Sequence, residues 1–194
     1  MDDEWAAAAA TWNTDPCVIT YSKMAISRVE PLLPADKVMD LGCGTGHLAR
    51  HLAPRARQVV AVDPSPAMLR PLREEGIPNV LVVEGVLDDA LATVHADSVD
   101  LVVASSVCAF VPNYPALLRR VAKILRAGGR FLQLDWRNEE ATLDNHNGGF
   151  SDAVVREAMA TTPLGLESLD DVRFDMGEGT NAHVIAVLAR RRQP

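Results

Sequence analysis

Residues Lys37 to His51 read KVMDLGCGTGHLARH, an apolar run that ends in an acidic residue and three glycines before apolar residues resume at helical spacing. Val38, Met39 and Leu41 are bulky and suit a buried strand. Gly42, Gly44 and Gly46 then strip side chains from a tight strand-to-helix turn, which lets a ligand approach the backbone. Leu48 and Leu52 are spaced to begin a helix. Its first free amides favour an anionic group, but a helix dipole contributes only about 0.3–1 kcal/mol at an exposed site, so selectivity must come from other groups.

Asp63 supplies one. It closes a second apolar run, Val59 to Val62, and is followed by Pro64, which cannot continue a central strand. A carboxylate at the tip of the second strand of a doubly wound sheet suits a ribose diol, because it can accept from both hydroxyls. Each such charge-assisted bond is worth about 1.5–3 kcal/mol, so two outweigh the dipole. Ribose recognition leaves two cofactor classes open. Gly44-Thr45-Gly46-His47-Leu48-Ala49 satisfies the dinucleotide pattern G-x-G-x-x-A, with Asp63 near the usual spacing of about 20 residues, which points to a nicotinamide-dependent oxidoreductase. Against it, Asp40 stands where a purely apolar strand end is expected. Tyr21 and Tyr114 are followed four residues on by Ala25 and Leu118, so no Tyr-x-x-x-Lys pair is present. Within these residues no second domain is left over for a hydride acceptor.

Working outward, strands are predicted near 37–41, 58–63, 80–84, 100–105 and 129–135, with helices near 46–53, 65–74, 88–94 and 114–126 between them. Such alternation implies a parallel sheet with helices on both faces. Before it, Asp2 and Asp3 can cap an Ala-rich helix to about Ala10, and Cys17 to Val29 suits a second helix stopped by Pro31 and Pro34. After it, residues 151–160 suit a helix, and the runs 168–176 and 180–190, separated by Gly177-Glu178-Gly179, suit a hairpin that brings the strand count to seven.

Four ordered motifs, VMDLGCGTG (38–46), AVDPSPAML (61–69), SVDLVVASSVCAFVPN (98–113) and LLRRVAKILRAGGRFLQLDW (117–136), resemble the class I S-adenosylmethionine-dependent methyltransferases. The resemblance is close over residues 37–136 and loose elsewhere. It implies a Rossmann-like three-layer αβα sandwich, mostly parallel, with an antiparallel terminal strand. It also implies that Gly42, Cys43 and Gly44 pass under the methionine and ribose of the cofactor, that Asp40 holds the methionine amino group directly or through water, and that Asp63 takes the ribose hydroxyls. Pro64 and Met68 would pack near the adenine, and Ser105 would adjoin the cofactor at the fourth strand's tip. Where the family shows Gly-Asp after the third strand, this chain has Gly85-Val86; Asp88 or a backbone carbonyl near Val86 would have to take the adenine contact. The Asn/Asp-Pro-Pro-Tyr/Phe motif of relatives that modify nucleic-acid nitrogens is missing.

The reaction the resemblance implies is an in-line displacement at a methyl carbon, moving it to a small-molecule acceptor. Placement of the reactants supplies about 7–11 kcal/mol of such a barrier, and a general base a further 10²- to 10⁴-fold, roughly, when the nucleophile must lose a proton. His146, in a polar loop after the fifth strand, and Asp135, at that strand's end, are the candidate bases. Trp12 and Tyr21 are candidates for a lid over the cofactor, and Cys108 and Phe110 for an acceptor wall. Cofactor binding without turnover, as in a non-catalytic nucleotide-binding partner protein, is the third reading.

Length and composition fit one domain: 194 residues with 48% apolar content can fill a core. The expected layout is a helical cap or lid over 1–34, a cofactor-binding core over 35–136, and an acceptor-side loop, helix and hairpin over 137–194. A net charge of −7 argues against nucleic acid or an anionic membrane as partner. Three cysteines at non-ligand spacing predict neither a disulfide framework nor a metal site and fit a cytoplasmic protein. The start lacks a basic segment and a branched apolar core, so no export signal is expected. A monomer or homodimer is expected.

Overall fold

A computed structural model describes residues 3–146, 148–177 and 180–193. Asp2 and the Glu178-Gly179 part of the expected turn lie outside the described residues. The strands are β1 (Ala35–Leu41), β2 (Ala56–Asp63), β3 (Val80–Glu84), β4 (Val99–Ser105), β5 (Leu125–Trp136), β6 (Leu164–Asp175) and β7 (Asn181–Arg191). They form one sheet in the order β3-β2-β1-β4-β5-β7-β6. β1 to β5 pair in parallel, and β7 runs antiparallel to both of its neighbours. The last two strands thus close the sheet as the expected hairpin, and β7 is the antiparallel one.

The helices are α1 (Ala6–Ala9), α2 (Pro16–Val29), α3 (His47–Leu52), α4 (Pro66–Glu75), α5 (Leu87–Thr93), α6 (Tyr114–Ile124) and α7 (Asp152–Ala160). Alternate residues of the central strands point into two separate cores. Val38, Val59, Ala61, Leu101 and Val103 meet α2, α3 and α4. Met39, Val60, Val62, Val102 and Ala104 meet α5, α6 and α7. Burial on both faces explains why these strands read as continuous apolar runs rather than alternating ones.

Two local differences from the expected elements have physical causes. Helix α6 ends at Ile124, before the expected 126, because Leu125 turns extended and pairs with Val99. The Ala-rich stretch forms only one turn, α1, followed by a 3-10 turn over Trp12–Thr14. A four-residue helix does not stand by itself in water, so its stability is tertiary. Among the described residues no helix is long and apolar enough to cross a membrane.

Candidate active site

In this strand order β1 lies between β2 and β4, and successive connections leave it in opposite directions. Ligands of open α/β sheets bind outside the carboxyl ends of the strands at such a point. The loop after β1 folds back there: the Gly42 and Cys43 amides both donate to the Val62 carbonyl, at 2.8 and 3.0 Å. Gly42 has φ +70°, and a Cβ on it would lie 2.6 Å from Cγ2 of Val107, just beyond β4. Only glycine allows β1's loop and β4's exit to approach this closely. Cys43 is buried, and burial raises its thiol pKa well above the usual value.

Two carboxylates flank that loop. Asp40, the penultimate residue of β1, is fully buried, and neither of its oxygens has a hydrogen-bond partner; the Ala49 amide faces it without reaching bonding geometry. Burial pushes its pKa up to about 7, and the neighbouring Asp63 charge adds to the rise. Asp63 is better served. Its Oδ2 accepts from the Gly44 amide at 2.8 Å and its Oδ1 from the Ser65 amide at 2.9 Å. Burial still raises its pKa, against the lowering by those amides. Each oxygen retains a second lone pair for a ligand.

The N-terminal segment covers this loop. Asp3 Oδ2 accepts from Ser65 Oγ at 2.8 Å and from the Ala67 amide at 3.2 Å, at the start of α4. Asn13 Oδ1 accepts from Thr45 Oγ1 at 2.5 Å. Trp12 stands over Gly44, where a Cβ would meet the indole Nε1 at 3.4 Å. Trp5 packs edge-on against both Trp12 and Phe110. These contacts hold Trp12 and its segment against the loop after β1. A cavity of about 570 Å³ lies on the opposite rim of the sheet, lined by Asp36, Arg57, Asp100, Arg126 and Arg130 among others, and touches none of these loops.

Of the residues expected near an adenine, Pro64 is exposed, whereas Met68 is buried and donates its amide to Ser65 Oγ at 3.1 Å. The Gly85 amide donates to the Asp63 carbonyl at 3.0 Å, joining the loops after β2 and β3. Val86 is half exposed, with its amide held by Asp89 Oδ2 at 2.8 Å. Asp88 turns instead to Arg120, 3.0 Å away, so the expectation that it returns to this loop is corrected. Ser105 is half-buried beside Ser106, whose φ of +55° is strained for a serine and whose amide donates to the Leu134 carbonyl at 2.7 Å.

Three further expectations are corrected. His146 is buried rather than loop-exposed, with Nε2 2.8 Å from the Val111 carbonyl and Nδ1 3.2 Å from the Leu143 carbonyl. Both ring nitrogens face backbone carbonyls, to one of which a neutral imidazole donates, and the buried ring stacks on Phe150, which is the geometry of a structural histidine rather than a base. Tyr21 does not line the lid. Its hydroxyl donates to the Leu134 carbonyl at 2.8 Å, its ring packs on Trp136 and Phe174, and burial raises its pKa. Cys108 is fully buried with its thiol pKa pushed up, so it walls no acceptor, whereas Phe110 is 61% exposed and can.

Asp135 lies in a buried polar chain. Tyr114 donates to Gln133 Oε1 at 2.5 Å, and Gln133 Nε2 and the Cys108 amide both donate to Asp135 Oδ2 at 3.2 Å. Its Oδ1 has no partner, and burial raises the carboxyl pKa to about 7. Tyr114→Phe is expected to leave Gln133 Oε1 buried and unpaired, at a cost of about 1–3 kcal/mol. Thermal melts should then show a midpoint lower by roughly 2–12 °C; an unchanged midpoint would mean that the chain is not energetically linked.

Asp3, Asn13, Ser65 and Asp89 were not legible as site residues in the sequence. Ser65 before Pro66 is a readable helix cap, but nothing local ties Asp3 to a residue 62 positions on.

A methyltransferase domain family matches residues 39–133. A Schizosaccharomyces pombe protein named as an uncharacterized methyltransferase is 30% identical over 135 residues, covering 68% of this chain and 51% of that protein. The chain spans about half the length of the curated relatives it matches. A chain of the complex between the Haloferax volcanii Trm112 methyltransferase activator and a methyltransferase superposes with TM-score 0.77 at 21% identity, covering 100% of both chains. The Burkholderia thailandensis 1,6-didemethyltoxoflavin-N1-methyltransferase, solved with that compound and S-adenosylhomocysteine, superposes with TM-score 0.71 at 18% identity, covering 100% of this chain and 92% of that one.

Proposed function

Because this chain belongs to the class I S-adenosylmethionine-dependent methyltransferase family, we propose that it transfers a methyl group from S-adenosylmethionine to a small-molecule acceptor. The observation that carries the reading is the pair of carboxylates around a glycine loop: Asp40, buried with both oxygens unpartnered, and Asp63, bridging the loops after β1 and β2. A buried carboxylate without a partner is costly and implies a cationic or donating ligand. The methionine ammonium supplies one and the ribose diol supplies the other, so the residues present fit this cofactor.

Asp40 would hold the amino group, Asp63 the ribose hydroxyls, and the backbone of Gly42, Cys43 and Gly44 would floor the site. Pro64, Met68 and the backbone of Gly85 and Val86 would flank the adenine, with Ser105 beside the cofactor. Bound there, S-adenosylmethionine supplies a methyl group activated by its sulfonium. The chain's own contribution is placement, worth about 7–11 kcal/mol when two reactants are held in line. Of the two candidate bases, Asp135 keeps an open oxygen and a pKa near neutrality, whereas His146 is buried with both ring nitrogens turned to backbone carbonyls. We assign cofactor binding to 35–136, its cover to 1–34 and acceptor contacts to 137–194 together with Phe110.

Titration calorimetry with S-adenosylhomocysteine tests the site. Asp63→Ala is expected to weaken binding at least about tenfold, since losing charge-assisted bonds of 1.5–3 kcal/mol exceeds the 1.4 kcal/mol that a decade requires. Unchanged affinity, or binding of a nicotinamide dinucleotide in its place, would overturn the assignment.

A further inference from the structure

We propose that the cavity on the rim opposite the cofactor loops binds a small molecule carrying adjacent phosphate groups, gripped by arginines of β2, β5 and β7. This second site is independent of the cofactor reading and takes a different ligand.

The cavity lies where the amino ends of β1, β2, β4 and β5 meet the carboxyl end of β7. Five arginines line it: Arg55 just before β2, Arg57 in β2, Arg126 and Arg130 in β5, and Arg190 in β7. In the sequence they belong to separate short stretches of a chain whose net charge is −7, and the sheet order is what gathers them. Holding like charges around one opening costs Coulomb energy that a polyanion recovers. Carboxylates offset part of it: Asp36 and Asp100 belong to the lining, and Glu30 and Glu167 pair with Arg55 and Arg190 from beside it. Five cations against these four carboxylates still leave one positive charge over.

The unspent donors identify the ligand more closely than the balance does. Arg57 is exposed and, among the described residues, pairs with no carboxylate. Arg126 gives its Nε to Asp100 and its Nη1 to the Ala127 carbonyl, and Arg190 gives its Nε to Glu167 and its Nη1 to the Gly128 carbonyl, so Nη2 of each is left over. Arg130 stands 3.3 Å from Glu167, with its Nε buried and outside hydrogen-bonding geometry. Guanidinium groups arriving from three strands need acceptors that point in several directions. A phosphate group offers three strong acceptor oxygens and about −1.5 to −2 charges, whereas a carboxylate offers one planar fork. The volume of about 570 Å³ lies within the range of small-molecule sites, and Leu32, Pro34 and Leu101 give the organic part of a phosphate ester an apolar wall.

Pyrophosphate, ADP and citrate, titrated calorimetrically into the full chain without added metal, test the site. Pyrophosphate is expected to bind at one site per chain and at least tenfold more tightly than citrate, an anion of similar charge built from carboxylates. ADP binding at least as tightly as pyrophosphate marks the ligand as a phosphate ester, and weaker ADP binding marks it as an inorganic polyphosphate. Arg57→Gln and Arg130→Gln should each weaken pyrophosphate binding at least fivefold. Arg119→Gln, which removes an exposed arginine of α6 outside the cavity, should change it less than twofold. Because Arg57 is exposed and unpaired among the described residues, its variant keeps the fold, and an unchanged melting midpoint checks that it does. No saturable binding, citrate binding as tightly as pyrophosphate, or Arg119→Gln as damaging as Arg57→Gln would overturn the proposal, the last by showing attraction to the whole surface rather than to a site. Pyrophosphate binding in a chain that fails to bind S-adenosylhomocysteine would uphold this site and remove only the cofactor reading.

Discussion

Gly44→Val is expected to abolish S-adenosylhomocysteine binding, at least a hundredfold by calorimetry, in a chain that remains folded. Two effects combine at this residue. Gly44 has φ +53°, where a β-branched side chain is strained by about 1–2 kcal/mol. A Cβ there also points at Trp12, 3.4 Å from the indole nitrogen, so the two further methyl groups of valine fill the space between loop and lid. The strain alone should lower the thermal midpoint by roughly 2–8 °C, a loss the fold survives. Gly76→Val separates the two effects. Gly76 has φ +59° with nothing within 4 Å of its would-be Cβ, so it carries the strain without the obstruction. It should destabilise similarly and leave binding unchanged. A Gly44→Val protein that is folded and binds normally would show that no ligand passes over this loop.

The same loop shows why part of the candidate site was legible in the sequence. Asp40, the three glycines and Asp63 are close in sequence to the strands that carry them, so apolar run, acidic stop and glycine turn report their positions directly. The sheet was legible for the same reason: β1, β2 and β4 are buried on both faces and read as unbroken apolar stretches. Side chains whose partners are set by tertiary packing were not. His146 looks like a loop histidine until Val111, 35 residues away, is brought to its Nε2. Tyr21 looks like a lid aromatic until the Leu134 carbonyl, 113 residues on, takes its hydroxyl. Asp88 and Asp89 are equivalent in sequence, and only helix phase decides that Asp89 reaches the Val86 amide while Asp88 faces α6. Trp12 was legible as an aromatic on a helical segment, but its place over Gly44 depends on Asp3 and Asn13 anchoring that segment to Ser65 and Thr45.

Asp40→Asn should make the ligand-free protein more stable at pH 8 while weakening its hold on S-adenosylhomocysteine. The folded pKa of Asp40 is raised from 3.8 to about 7, so its favourable contribution is complete below about pH 4 and is lost as pH rises through 7. Asparagine does not ionise and escapes that loss. At about 1.4 kcal/mol per pKa unit, the variant's advantage at pH 8 reaches a few kcal/mol, and its midpoint should fall less between pH 5 and pH 8 than that of the parent. Asp135, raised to about 7 by its own burial, leaves a residual slope of the same sign in both proteins. Binding moves the other way. A ligand ammonium favours the ionised carboxylate, so the parent should bind S-adenosylhomocysteine more tightly as pH rises from 6 to 8, whereas the variant should show a flat profile. At pH 8 the variant should bind about ten- to a hundredfold more weakly, the loss of one charge-assisted contact. Melting curves and calorimetry across that range read both signs. A variant no more stable than the parent at pH 8 would mean that Asp40 is solvated or partnered in solution, and undiminished affinity would move the ammonium elsewhere. Opposite signs in the two measurements identify a carboxylate kept at a cost to folding because the ligand is what satisfies it.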